Sequence, residues 1–123
     1  MLQGNFFTVA DKTSAGKTIV TTLDINALHP IFEGHFPGQP VVPGVCMMQM
    51  IKELVETELK YKMQLRKADH LKFLAVINPI ENPTIFAEVS YDDNDAGNVF
   101  VTGRLYKNET TFLKFKGIFV EQA

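Results

Sequence analysis

The chain predicts an α+β fold in which a curled antiparallel sheet wraps around one long central helix. Three observations predict it. Only one stretch, from about Gly44 to Tyr61, keeps apolar residues at a 3.6-residue period. Two stretches before it and four after it are rich in Val, Ile, Thr, Phe and Tyr, the residues that suit a pleated, half-buried surface. The four later stretches follow one another through short turn-forming segments, which favours antiparallel neighbours. With 123 residues the expectation is a single domain, 1–123, with one core, small enough for a partner chain to complete it.

Taken in order, Asn5 to Val9 and Lys17 to Ile25 read as two strands of a hairpin around Ser14-Ala15-Gly16. A glycine- and proline-rich loop follows, carrying His35, Phe36, Pro37, Pro40, Pro43 and Gly44. Proline fixes φ and glycine releases it, so this loop has little freedom left and suits holding a side chain in place. Pro43 and Gly44 then act as start signals for the helix, whose apolar positions are Met47, Met48, Ile51, Leu54, Val55 and Leu59. Val45 to Ile51 is apolar on every side except at Gln49, which predicts that the first two turns are enclosed. Lys52, Glu53, Glu56 and Lys60 predict a polar stripe on the later turns. Beyond the helix, His70 to Ile77, Thr84 to Tyr91, Asn98 to Tyr106 and Thr111 to Val120 read as strands. Strand, strand, long helix and four strands pack economically when the sheet curls around the helix, the arrangement called the hot-dog fold.

A stiff loop bearing histidine thus feeds directly into a helix N-terminus. The first turn of a helix has unpaired N–H groups and partial positive charge, so Gly44 and Val45 can offer donors to a developing oxyanion. The run GHFPGQPVVPGV resembles the signature of the β-hydroxyacyl-[acyl carrier protein] dehydratases of fatty acid synthesis. The likeness is strong over Phe32 to Ile51 and continuous in pattern over most of the remaining chain. It implies a hot-dog fold and dehydration of β-hydroxyacyl thioesters to trans-2-enoyl thioesters. By the same resemblance His35 is the general base that removes the α-proton, a task its pKa range suits, and Gly44 supplies a backbone N–H to the thioester carbonyl. Phe36, Pro43 and Met48 fall where the acyl group is expected. Methionine here serves as core or as an adaptable tunnel wall. His29 and His70 read instead as histidines satisfied in core or turn.

The chain departs from the family at Gln49, where active dehydratases carry Glu or Asp, contributed across a dimer interface, to protonate the departing hydroxyl. An amide has no comparable proton to give, although it can orient the hydroxyl. Loss of a positioned acid costs on the order of 10²- to 10⁴-fold. As the one polar residue in an apolar run, Gln49 should have a partner, because burying an unpaired amide costs about 1–3 kcal/mol. The family has glutamine one turn after its acid, and Glu53 stands there in this chain, as though the two had been exchanged. Glu53 either reaches the site, directly or through water, or begins the polar stripe. Cys46 near the helix start could pair with His35 as a nucleophile, but cysteine is more commonly a small core residue.

Composition narrows the partners. Twelve basic and fourteen acidic residues leave a net charge of −2, which argues against a general nucleic-acid binder. Lys60, Lys62, Arg66, Lys67 and Lys72 nevertheless cluster against a single acid, Asp69. Acyl carrier proteins are acidic, so Lys62, Arg66 and Lys67 are the expected carrier-docking residues. One cysteine and no Cys/His cluster propose neither an internal disulfide nor a metal, and no cofactor is expected. No apolar run approaches a membrane span, so the expected location is the cytoplasm. A sheet curled around one helix leaves an edge strand, so a homodimer or higher oligomer is expected, or a heteromer with a homologue. Two functions of different class stay open: a dehydratase, or a non-catalytic or half-site subunit that binds acyl carrier thioesters or completes a heteromeric dehydratase. A thioesterase is a third.

Overall fold

Residues that alternate in chemistry along the later strands also alternate in burial, and that alternation builds the inner face of the sheet. The structure is a computed structural model that describes residues 2–33 and 40–122, with Asn94 and Asp95 described by their backbone alone. Its elements are β1 (Phe7–Ala15), β2 (Thr18–Ile25), a short 3₁₀ turn (Pro30–Phe32), α1 (Gly44–Leu59), β3 (Met63–Phe73), β4 (Thr84–Asp95), β5 (Asn98–Lys107) and β6 (Thr110–Glu121). All pairings are antiparallel in one six-stranded sheet of order β1-β2-β4-β5-β6-β3. This is the expected α+β hot-dog arrangement. Leu23, Ile85, Val89, Val101, Leu105, Leu113, Phe115 and Phe119 point inward onto Met50, Ile51, Leu54 and Val55 of α1.

Several boundaries differ from the sequence reading. Polar β1 runs on to Ala15, because a two-residue turn at Gly16 (φ 61°) keeps it paired with β2 up to Ala15 opposite Thr18. Helix α1 stops at Leu59, where Lys60 takes a left-handed conformation (φ 64°) and donates its N–H to Glu56 O at 2.7 Å. The largest correction is β3, expected from His70 to Ile77 but found from Met63 to Phe73, so the basic run lies on an edge strand. Two bulges, between Leu65 and Lys67 and between Ala68 and His70, break its alternation and hide it from a period-2 reading.

The bulges also explain one glycine. A Cβ on Gly117 would stand 2.5 Å from Lys67 O and 2.6 Å from Phe115 Cζ, and the backbone oxygen cannot retreat without unpairing β3. Gly117→Ala is expected to destabilise the fold by about 2 kcal/mol, in the range for overpacking, read as a lower denaturant midpoint with unchanged slope.

The expected polar stripe is not present. Glu53 is fully buried and Glu56 is nearly so, whereas Val45, at the supposedly enclosed start, is 77% exposed. The reason is that Glu53 takes two backbone N–H groups and Glu56 takes one from elsewhere in the chain, while no described residue covers the outer side of the first turn. Glu56 Oε2 accepts from Met63 N at 2.8 Å, fastening the helix end to the beginning of β3.

Candidate active site

Two anchored ends bracket the segment that carries His35. Before it, Phe6 meets the rings of His29 and Phe32 with centroids 5.4 and 5.5 Å away, and His29 Nδ1 accepts from Ile31 N at 3.1 Å. After it, Val42 is buried and donates its N–H to Ile77 O at 2.9 Å. His35 and Phe36 themselves lie outside the described residues.

The chain then enters α1 through Pro43, which is extended (φ −60°, ψ 146°) and offers no side-chain cap. Its carbonyl accepts from Cys46 N at 3.0 Å and Met47 N at 3.2 Å. Gly44 N and Val45 N precede these first intrahelical donors and have no acceptor among the described residues. Among the described residues, nothing occupies either N–H group. Pro43 sets the helix start and does not line the adjoining groove.

That groove, of about 550 Å³, opens at the helix start. One wall is Gly44, Val45, Met48, Gln49 and Lys52 of α1, and the other is Leu65, Leu71 and Phe73 of β3, with Phe119 of β6. Gly44 permits the approach of the two walls, since a Cβ there would lie 2.9 Å from Phe73 Cζ. Met48 is thus part of the groove wall. The β3 residues escaped the sequence reading for the reason given above, and Lys52 because it was counted into the stripe.

Gln49 has the partner its position demands. Its Nε2 donates to Glu53 Oε2 at 2.8 Å, and Glu53 also accepts from Leu2 N at 2.7 Å and Gln3 N at 2.8 Å. Glu53 therefore neither begins a solvated stripe nor faces the groove as a free acid. Cys46 is buried, and burial pushes its thiol pKa up, which leaves it unsuited to nucleophilic work.

The basic run lies elsewhere. Lys62, Arg66 and Lys67 are exposed, with Arg66 donating to Asn98 Oδ1 at 2.7 Å and Lys67 pairing with Asp69 at 3.3 Å. The structure adds two neighbours that spacing alone did not suggest. Register places Lys116 opposite His70 and Lys114 opposite Lys72, beside an outer-face depression of about 310 Å³. His70 is exposed there and is not a core or turn histidine.

A family model described as ApeI-like, ApeI dehydratase, matches residues 11–112. Among curated proteins, the 3-hydroxyacyl-[acyl-carrier-protein] dehydratase FabZ of Lactobacillus helveticus is 33% identical over 82 residues, 60% of this chain and 55% of that protein. FabZ of Geotalea uraniireducens is 28% identical over 121 residues, 88% of this chain and 81% of that protein. With several such relatives the matched stretch spans about half of the relative's length. A chain of the dehydratase heterocomplex ApeI:P from Xenorhabdus doucetiae superposes with a TM-score of 0.75 at 19% identity, covering 92% of this chain and 96% of that one. No helix among the described residues is long and apolar enough to cross a membrane.

Proposed function

Because the chain belongs to the ApeI-like dehydratase family, we propose that its groove is a β-hydroxyacyl thioester site and that its reaction is dehydration to the trans-2-enoyl thioester. The observation that carries this reading is that Gly44 and Val45, whose N–H groups have no acceptor among the described residues, line an apolar groove at the helix start. In the proposed reaction His35 takes the α-proton, and the electron pair moves onto the thioester oxygen, where the two N–H groups stabilise it. The pair then returns to form the Cα–Cβ double bond, the β-carbon–oxygen bond breaks, and the hydroxyl leaves as water once it has gained a proton. The substrate's carrier is an acyl carrier protein in the cytoplasm, docked through Lys62, Arg66 and Lys67.

The source of that last proton favours a second reading beside the first. Gln49 is an amide and the Glu53 carboxylate is already occupied, so the chain fits the role of a half-site subunit whose acid comes from a homologue. The partner's place would be β3, an edge strand whose inward side leaves Leu65, Leu71 and Phe73 between 41% and 50% exposed. The purified chain is to be assayed on a β-hydroxyacyl thioester, alone and mixed with an acid-bearing homologue, with sedimentation at micromolar concentration as the companion measurement. Enoyl formation in either case supports the thioester reading; a chain that stays monomeric and silent in both overturns it.

Charge sets the carrier prediction. Reversing Lys62, Arg66 and Lys67 to glutamate is expected to lower kcat/KM about tenfold or more for carrier-linked substrate at low salt, and to leave a small pantetheine thioester nearly unaffected. Equal losses on both substrates would remove carrier docking from these residues.

A further inference from the structure

Gln49 and Glu53 stand one turn apart on α1, and the chemistry of their contact fixes which atom the groove receives. Glu53 is fully buried, and its two oxygens take three N–H donors: Leu2 N and Gln49 Nε2 on Oε2, and Gln3 N on Oε1. Backbone N–H groups can only donate, so both carboxylate oxygens act as acceptors. A glutamine beside such a carboxylate has one satisfactory orientation, with its NH₂ toward Glu53 and its carbonyl oxygen away. Gln49 Oε1 has no donor among the described residues. It is also not a buried orphan, since the one such side-chain atom among the described residues is Thr21 Oγ1. Gln49 lines the groove and is half-buried, so Oε1 is the polar atom it presents there.

We propose that Glu53 is a positioning residue that locks Gln49 as a one-way hydrogen-bond acceptor, so that the groove selects acyl thioesters carrying a β-hydroxyl over those with a β-keto group or none. The proposal deepens the reading above and rests on acyl thioesters occupying the groove. A free amide would turn to suit either kind of ligand. A locked one meets a β-hydroxyl with a matching acceptor and a β-keto oxygen with a second acceptor, which repels it. The trans-2-enoyl product has no donor at that carbon, so its hold loosens as soon as water has left. The residue that takes an acid's place in the motif thus reads the substrate's oxidation state.

The test measures Kd of the full chain for pantetheine analogues of one chain length in which nitrogen replaces the thioester sulfur, so that the α-proton stays in place. The acyl groups are 3-hydroxy, 3-keto, trans-2-enoyl and saturated. The unaltered chain is expected to favour 3-hydroxy over 3-keto by about tenfold, the scale of one hydrogen bond gained against one lost. Gln49→Met should abolish the preference. Glu53→Leu should erase it, because nothing then holds the amide nitrogen and Gln49 can turn either way. Equal binding of all four analogues by the unaltered chain overturns the lock while leaving the thioester site standing. So does a folded Glu53→Leu chain with unchanged preference. Should Glu53→Leu fail to fold, a tenfold preference surviving in Gln49→Met is the overturning result. Failure of every analogue to bind overturns the site and the lock together.

Discussion

Gln49→Glu is expected to raise dehydration of a β-hydroxyacyl thioester by about tenfold or more, within the range for a restored general acid. The local geometry makes the effect specific. The Gln49 amide nitrogen lies 2.8 Å from Glu53 Oε2, so the new carboxyl would stand within hydrogen-bond reach of a buried carboxylate. Two carboxyls at that separation repel one another when both are ionised, which favours a form of the pair that keeps a proton to donate. His35→Ala in the same background should abolish the gain, since an acid without a base has no enolate to assist. Enoyl formation against pH for the parent, the single variant and the double variant is the measurement. A parent that is strongly active and indifferent to Gln49→Glu would remove position 49 from the chemistry.

Glu53→Leu carries the largest expected effect on stability. The substitution keeps the bulk and removes the acceptor for Leu2 N, Gln3 N and Gln49 Nε2 together. Leaving part-buried donors unsatisfied costs about 1–3 kcal/mol each, and the amide can recover water in the groove, so a loss of about 4 kcal/mol is expected. Against a typical stability of about 5–15 kcal/mol, that brings the chain near its limit. Urea unfolding reads the total. Amide exchange at Leu2 and Gln3 separates local release of the N-terminus from a general loss. A shift below about 1 kcal/mol, with both amides still protected, would show that Glu53 does not hold the chain's beginning.

These two residues also mark how far the sequence could be read. The helix start was legible because Pro43 and Gly44 punctuate it and the following residues keep their period. The exchange of Glu and Gln was legible because the motif supplies a register against which to count. What Glu53 does was not legible, because its backbone donors come from 51 and 50 residues away along the chain. Periodicity assigns a glutamate to solvent unless something distant satisfies it, and the same limit hid Glu56, whose donor is Met63 N. The groove was half legible. Its helical wall follows from the period of α1, whereas its β3 wall is broken by two bulges and keeps apolar residues exposed in the single chain, so neither alternation nor hydrophobicity marked it.

The strand order β1-β2-β4-β5-β6-β3 has a consequence for the growing polypeptide. Strands β4, β5 and β6 form a meander of near neighbours, each able to pair as it emerges from the ribosome. Strand β3 is made before all three, yet among the described residues it pairs in the sheet with β6 alone, the last of these strands in sequence order. Until then it is an unpaired strand, with Leu65, Leu71 and Phe73 even less covered than in the folded chain. This wall of the groove is therefore joined to the sheet only after β6 has emerged, and the interval before then is when a subunit already complete could capture it or when like chains could aggregate.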